Sequence, residues 1–260
     1  MKSVILIILC FLSVSIVYPQ ISIDTLKAGD SLKANDTSKT SDTSSFKPNT
    51  NINVSVPRIN SADIDIDGIL NESAWLKAKK FENFSEVEPG DNTKPSVNTE
   101  AFVFYDDENI YIGFKNYEPD IKSLRKTFTS RDMIFSDDWV GFFFDTYNEK
   151  KQAYELIVNP YGIQADLMWN APGYEDETFD AIWYSDAKIY SDMWTVEIVI
   201  PFKSIRFPNK PEQMWNFLLF RNHPRANREQ ISWSSLSRDD PTLYTRAAKM
   251  SGINNIKGGN

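Results

Sequence analysis

Short apolar runs recur every ten or so residues along the chain after about residue 57, and turn residues separate them. The run WTVEIVI at 194–200 places its large apolar side chains at alternate positions, hence on one face, as in a half-buried strand. The run WVGFFFD at 139–145 is apolar on both faces, which is typical of a central strand. Helical periods are scarce. The pattern therefore predicts an all-β fold, an antiparallel β-sandwich or jelly roll.

Turn signals indicate how neighbouring strands are connected. The runs AFVFY and IYIGF flank residues 106–109, and a four-residue connection of this kind predicts a β-hairpin. The runs AYELIV and IQADLMW flank residues 159–162, where proline and glycine favour a turn. We therefore expect each pair of runs to form antiparallel neighbours in a sheet.

The stretch DIDGILNESAW at 65–75 combines strand, turn and helix signals. Acidic and apolar residues alternate at its start, and Asp67-Gly68 is a typical turn pair. Asn71 is a good N-cap residue, and Glu72 follows it near the positive end of a helix. We predict one short N-terminal helix that Trp75 anchors to the sheet. Because each residue has a structural explanation, the stretch is expected to shape the fold rather than to bind a ligand.

Composition divides the chain into three parts. Residues 1–20 contain one lysine and an apolar run from Val4 to Val17, which suits a secretory signal peptide. An uncleaved membrane anchor is the alternative interpretation. Residues 21–56 are rich in Ser, Thr, Asp, Lys and Asn and show no apolar period, which predicts a disordered linker. The predicted β-sandwich occupies residues 57–256.

Charge and cysteine content narrow the classes of partner. The chain has 28 basic and 36 acidic residues, a net charge of −8. Such a chain is poorly suited to nucleic acid, which proteins bind by neutralising phosphates, and to anionic membrane surfaces. Cys10 is the only cysteine and lies in the predicted signal peptide, so no disulfide is expected in the folded part. Neutral ligands and proteins remain as candidate partners.

Five motifs occur in order between residue 60 and about residue 255, and together they resemble the family 9 carbohydrate-binding modules. They are IDGILNESAW, FYDDENIYIGF, SDDWVGFFFD, WTVEIVIPF and KMSGI. Two longer stretches, YELIVNPYGIQAD and WNFLLFRNHPRANREQISW, resemble a branch of the family found at the N-terminus of bacterial outer-membrane proteins. The resemblance implies a β-sandwich that binds sugars, usually attached to enzymes that degrade xylan or glucan.

The resemblance also implies candidate site residues. In the family, two tryptophans sandwich a terminal sugar, and their positions fall at Phe135 and near Tyr244. The glutamate and arginine that contact sugar hydroxyls in the family fall at Gly141 and Ile157, and the glutamine falls close to Phe220 and Arg221. The predicted ligand-binding residues are Phe135, Tyr244, Trp169, Tyr174, Asn159 and Arg221.

Trp169 is a candidate in its own right, because it opens the aromatic-rich loop WNAPGYEDETFDAIW. Aromatic rings with a polar edge suit partial exposure, so a ligand could dock on such a loop. The alternative is a loop that folds over its own sheet. The other six tryptophans lie mostly within strand periods and are expected in the core.

Other candidate chemistry is weaker. The acidic clusters at 106–108 and 137–138 offer the oxygen ligands that calcium prefers, but neither has the spacing of a calcium loop. We interpret them as turn and strand-end carboxylates, with calcium as the alternative. His223 lacks a second histidine or a cysteine partner, which argues against zinc and against a Ser-His-Asp triad. No motif places the carboxylate pair of a glycosidase. We predict no catalytic residue, no metal ligand and no cofactor.

These observations lead to two functional hypotheses. The first is a non-catalytic carbohydrate-binding domain of an exported cell-envelope protein, in the periplasm, outer membrane or at the cell surface, associated with polysaccharide binding and breakdown. Its partner would be a polysaccharide or oligosaccharide. The alternative is a protein-interaction or assembly domain of an outer-membrane complex that has lost sugar binding, with an outer-membrane protein as its partner.

Overall fold

The structure is a computed structural model that describes residues 46–50, 52–60 and 64–258. The predicted signal peptide and most of the predicted linker lie outside the described residues. The described part contains fourteen strands and three single-turn 3-10 helices. The strands are β1 Asn53–Ser55, β2 Lys79–Phe81, β3 Ser85–Glu88, β4 Thr99–Tyr105, β5 Asn109–Tyr117, β6 Trp139–Asp145, β7 Gln152–Val158, β8 Gln164–Asn170, β9 Tyr174–Asp176, β10 Tyr184–Ile189, β11 Met193–Pro201, β12 Glu212–His223, β13 Glu229–Ser232 and β14 Ala248–Asn254.

The strands form a larger and a smaller sheet that pack face to face. The larger sheet has nine strands, in the order β1-β14-β12-β6-β7-β8-β9, with β13 paired to β12 and β3 paired to β13. The smaller sheet has the order β10-β11-β5-β4-β2. Every strand pair is antiparallel except β1 with β14. The predicted antiparallel β-sandwich is therefore confirmed.

Side chains alternate between the two faces of each strand, and those on the inner faces of the two sheets form the core. Phe142 and Phe144 of the larger sheet and Ile112 and Val196 of the smaller sheet belong to one buried apolar cluster. The predicted hairpin β4–β5 and the predicted pair β7–β8 are both present. Asp106 closes the hairpin turn by accepting hydrogen bonds from the backbone N–H groups of residues 108 and 109, at 2.8 and 2.7 Å.

The predicted N-terminal helix is wrong. After Asn71 the chain makes consecutive turns, with i→i+3 bonds from Trp75 N to Glu72 O and from Lys77 N to Ala74 O at 3.1 and 3.0 Å. The hydrogen bond from the Trp75 indole to Glu197 of β11 holds this segment against the smaller sheet in the turn conformation. The 3-10 helices lie at Ile121–Ser123, Phe202–Ser204 and Leu243–Arg246. Among the described residues, no helix is long and apolar enough to span a bilayer.

The stretch DIDGILNESAW is held by one buried carboxylate of strand β11. Glu197 accepts hydrogen bonds from the Trp75 indole at 3.0 Å and from the backbone N–H groups of Asp67 and Gly68 at 3.0 and 2.9 Å. Gly68 has a φ of +79°, and a Cβ there would lie 2.5 Å from a backbone carbon of Ala187. The motifs IDGILNESAW and WTVEIVIPF are thus joined by hydrogen bonds into one structural unit, which explains why the first of them shapes the fold.

The folded part begins before the predicted boundary at Pro57. Strand β1 lies within the predicted linker, and its Val54 is buried opposite Met250 of β14. The Asn49 side chain donates hydrogen bonds to the carbonyls of Asn83 and Trp233, both at 3.0 Å. Composition missed this strand because a three-residue edge strand carries a single buried apolar side chain within a polar context.

Candidate functional site

The outer face of the larger sheet is a second buried apolar layer. Because side chains alternate along β6, Phe142 and Phe144 point into the sandwich while Gly141 and Phe143 point outward. The outward side chains of five strands form this layer together with residues from the covering loops. Its largest members are Ile134, Trp139, Phe143, Ile157, Leu167, Trp169, Leu218, Phe220 and Tyr244.

Residues 236–247, the covering segment, lie over this layer. Leu236, Leu243 and Ala247 pack against it, and Tyr244 is fully buried within it. The Tyr244 hydroxyl donates a hydrogen bond to Glu155 on β7, at 2.7 Å. The Lys150 ammonium donates to a backbone carbonyl of the segment at 2.6 Å. The covering segment is therefore fixed to the sheet by apolar packing and by hydrogen bonds.

Two of the aromatic residues predicted to bind a ligand, Trp169 and Tyr244, are packed against each other and are not open to a ligand. Trp169 is 3 % and Tyr244 0 % exposed, and their ring centroids are 4.6 Å apart. Phe135, by contrast, is 40 % exposed. Because a sugar stacks on a free ring face, neither buried ring can act as a platform in this conformation. Trp169 lies in β8 and its ring packs against Tyr244 of the covering segment, while Tyr174, in the stretch that follows, is exposed.

The remaining predicted site residues lie apart from this pair. Arg221 is fully buried and donates to the carbonyls of Asn98 and Tyr117 at 3.0 and 3.1 Å. Asn159 is buried in the β7–β8 turn, and its side chain hydrogen-bonds within the protein. Tyr174 is 66 % exposed on the edge strand β9. A ligand role at the six predicted positions stays a prediction.

The positions that align with the family's polar residues are apolar and buried. The register places Ile157, Gly141 and Phe220 side by side on β7, β6 and β12. A Cβ on Gly141 would lie 2.5 Å from the Phe143 ring, so that ring occupies the space beside the glycine. No hydroxyl-binding side chain comes from these three positions, and the row contributes to the apolar layer instead.

A groove of about 400 Å³ lies beside this layer, between the β8–β9 turn and the covering segment. Trp169 and Phe220 are on its apolar side, together with Val87 and Leu243. Sequence reasoning found Trp169 but missed the polar residues, because their own strands and loops carry no motif. The polar lining includes Glu88, Glu175, Gln230, Arg238, Asp240 and Thr242.

The acid beneath the covering segment has an unusual environment. Burial raises the pKa of Glu155 to about 8, and the hydrogen bond from Tyr244 only partly opposes this effect. The carboxyl group is therefore largely protonated at neutral pH. A neutral acid can stay buried among apolar side chains without a cationic partner, which explains how Glu155 is tolerated in this layer.

One end of the sandwich contains a buried network of charges. His223 contacts Glu118 at 3.0 Å and Glu229 at 2.9 Å, and Arg225 binds Glu118 and Asp138 at 2.5 and 2.7 Å. Burial opposes ionisation of Glu118, but His223 and Arg225 outweigh it and lower the pKa of this carboxyl to about 2. Burial likewise opposes the charge on His223, whose pKa is nevertheless raised by the two glutamates.

This network resembles a metal site only in its residue types. Ligand atoms of Glu118, Asp138 and His223 lie within 4.8 Å of one another. However, the Arg225 guanidinium donates to both carboxylates and already supplies the positive charge between them. The network is better explained as an ion cluster that fixes this end of the sandwich.

Solved structures of low sequence identity share the fold. A candidate carbohydrate-binding protein from Bacteroides uniformis ATCC 8492 has a TM-score of 0.63 and 11% identity, over 77% of this chain and 98% of that chain. A family 9 carbohydrate-binding module from Caldicellulosiruptor kristjanssonii in complex with cellotriose has a TM-score of 0.50 and 16% identity, over 78% and 95% of the two chains. A family 9 carbohydrate-binding module from the same organism in complex with glucose has a TM-score of 0.51 and 15% identity, over 79% of this chain and 98% of that chain.

The sequence comparisons give the family. No relative was found among curated protein sequences. The sequence model described as "carbohydrate family 9 binding domain-like" matches residues 66–250, well over half of the chain, and this range covers the sandwich from the Gly68 turn to β14. The chain therefore belongs to the carbohydrate family 9 binding domain-like family.

Proposed function

We propose that this domain is a non-catalytic carbohydrate-binding module that holds an oligosaccharide in the groove beside Trp169. The observation that carries the proposal is the mixed lining of this groove in a member of a carbohydrate-binding family. Its volume, about 400 Å³, lies in the range of small-molecule sites. Glucose and cellotriose, the ligands of the solved modules from Caldicellulosiruptor kristjanssonii, are the first ligands to test.

The groove offers complementary chemistry to a neutral sugar. The carboxylates of Glu88, Glu175 and Asp240 can accept hydrogen bonds from hydroxyl groups, while Arg238 and Gln230 can donate them. Trp169 and Phe220 offer little surface to a sugar, since both are almost fully buried. Hydrophobic stacking is therefore small, and we expect dissociation constants on the order of a millimolar.

Ion pairing in the groove favours binding over hydrolysis. Glu88 lies 3.6 Å from Arg238, and Asp240 lies 2.7 Å from Arg246. A glycosidase needs one carboxyl group that is protonated and can donate its proton to the leaving oxygen. Two of the three acids that line the groove are thus held in ion pairs, and the family is one of binding domains, so we propose that the groove binds without catalysing a reaction.

Titration with defined sugars tests the proposal. Glucose, cellotriose and xylo- and manno-oligosaccharides are added to the full chain, and binding is followed by calorimetry. We expect Glu175→Ala and Arg238→Ala each to weaken binding at least tenfold, while Glu212→Ala, an exposed acid outside the groove, leaves it unchanged. The absence of any heat at tens of millimolar sugar would overturn the proposal.

A second candidate function is protein interaction or assembly without sugar binding. It is favoured by the apolar row Ile157, Gly141 and Phe220, since these positions align with sugar-contacting residues of the family. This candidate function predicts that none of the sugars produces heat of binding in the titration. It also predicts that one dominant outer-membrane protein is recovered after crosslinking in cells. Recovery of no partner under several conditions would contradict it.

The cellular setting is also a proposal. The apolar run of residues 4–17 supports export, and we propose that the mature protein serves polysaccharide capture and breakdown at the cell envelope. Fractionation of cells followed by N-terminal sequencing tests this idea. Material that begins near Ile21 in an envelope fraction is expected, and intact Met1 in a cytosolic fraction would contradict it.

A further inference from the structure

Two neighbouring loops display aromatic rings to solvent, away from the groove. Phe128 belongs to the loop of residues 125–136 and is 87 % exposed. Tyr161 belongs to the β7–β8 turn and is 44 % exposed. The two ring centroids are 6.3 Å apart, and the rings meet edge to face. Displaying a phenylalanine ring in this way costs free energy in water, so an exposed aromatic pair needs an explanation.

The two loops are held together from below by buried polar groups. Asp137 is buried and accepts hydrogen bonds from the Thr127 N–H and hydroxyl, both at 2.8 Å, and from the Asn159 amide at 3.0 Å. Asn159 also donates to the Thr127 carbonyl at 3.1 Å and accepts from Tyr161 N and Ile163 N, both at 3.0 Å. The segments that carry both rings are therefore fixed relative to one another before any partner binds, which lowers the entropic cost of binding.

The surroundings of the rings are apolar and basic. Met133, on the same loop as Phe128, is 67 % exposed. The Lys126 ammonium lies 6.0 Å from the centroid of the Tyr161 ring. Arg125 is exposed, and within the described residues neither Arg125 nor Lys126 takes part in a salt bridge. These positive charges stand out in a chain with a net charge of −8.

We propose that this aromatic–basic surface, formed by Lys126, Phe128 and Tyr161, docks an acidic peptide segment of another protein. Phenylalanine and tyrosine are among the residues that protein interfaces enrich. The positive charge of Lys126 favours a segment that places a carboxylate beside one or two apolar side chains. A carboxylate fits better than a neutral sugar, because only the carboxylate gains an ion pair with Lys126. The proposal is independent of sugar binding in the groove.

Selection from a random peptide library displayed on phage tests this surface, with the full chain as the immobilised target. We expect enriched peptides to combine aspartate or glutamate with a large apolar residue. A synthetic peptide of the enriched sequence is then titrated by fluorescence anisotropy against wild type and variants. Phe128→Ser and Lys126→Glu should each weaken its binding at least tenfold. The matched control is Leu76→Ser, because Leu76 is 89 % exposed but lies outside the surface, and it should bind like wild type.

Thermal unfolding accompanies each variant, and the Phe128→Ser and Leu76→Ser proteins should melt within a few degrees of wild type. Three results would overturn the proposal. The first is that no peptide is enriched from the library. The second is that the enriched peptides bind the Phe128→Ser and Lys126→Glu variants as tightly as they bind wild type. The third is that peptides do not bind and that Phe128→Ser instead abolishes self-association of the protein or its binding of an acidic oligosaccharide.

Discussion

Two aromatic pairs of this protein differ in what they can contact. Trp169 and Tyr244 are packed against each other beneath the covering segment, with no more than 3 % of either residue exposed. Phe128 and Tyr161 lie on two loop tips, and both are exposed. Both residues of the first pair were predicted from the sequence to bind a ligand, yet of the two pairs the second is the exposed one. A side chain that the sequence marks as a candidate for ligand binding can thus be packed inside the protein.

The polar groups beneath the two pairs differ as well. The buried pair lies over Glu155, a single acid that burial keeps protonated. The exposed pair lies over the network of Asp137, Thr127 and Asn159, in which several hydrogen bonds fix two loops. We therefore expect the first pair to contribute to the stability of the domain and the second pair to contribute little, because its rings are already in contact with water.

The largest expected effect comes from removing one ring of each pair. Trp169→Ala should destabilise the protein by about 3–5 kcal/mol, because it opens a cavity in the outer apolar layer. Phe128→Ala should change stability by less than about 0.5 kcal/mol, since the ring is mostly in water already. Urea unfolding followed by circular dichroism measures both values. Equal losses in the two variants would remove the basis of the comparison.

The acid beneath the buried pair should make stability depend on pH. The folded-state pKa of Glu155, about 8, is above that of an unfolded chain, so the native state binds an extra proton between these values. Stability from this group therefore falls as pH rises from about 4.5 to 8. We expect Glu155→Gln to stabilise the protein by up to about 3 kcal/mol at pH 7 and by little at pH 4.

Unfolding by urea at several pH values between 4 and 9 measures this change. Glu149→Gln in the β6–β7 turn, at the surface, is the matched control, and its curve should run parallel to that of wild type. If the difference between Glu155→Gln and wild type were constant across pH, burial of a protonated Glu155 would be disproved.

The network beneath the exposed pair should matter less than the buried ring but more than the exposed one. Asn159→Ala removes hydrogen bonds to Thr127 and Asp137 and leaves buried polar groups without partners. We expect a loss of about 2 kcal/mol. Hydrogen exchange should show faster opening of residues 125–136 and 159–163. An unchanged exchange rate in both loops would indicate that Asn159 does not hold them.

A smaller effect than that of Asn159→Ala is expected from removing the hydroxyl of the buried pair. Tyr244→Phe keeps the ring and removes one hydrogen bond to Glu155, which should cost about 1 kcal/mol. Because that bond lowers the pKa of Glu155, its loss should raise the pKa further. NMR titration of a specifically labelled Glu155 carboxyl measures the shift. A lower pKa in the variant would contradict the described geometry.

Sequence reasoning succeeded where the signal was local. The strand alternation in WTVEIVI and the turn residues at 106–109 predict elements that the structure confirms. It failed for the helix after Asn71, because Glu197 of a distant strand fixes Trp75 and Gly68 in a series of turns. It also missed β1, whose only reason to be a strand is its partner β14. The polar residues of the groove were missed for the same reason, since only folding brings them close together.

The amino-acid sequence by itself determined the all-β class, the antiparallel hairpins and the family, because these depend on the order of side chains along each strand and on turns of a few residues. Only the tertiary structure decided which aromatic rings are accessible. The burial of Trp169 and Tyr244 depends on where residues 236–247 pack on the larger sheet, and that contact joins parts of the chain far apart in sequence. Burial is a non-local property, and the candidate binding surfaces follow from it.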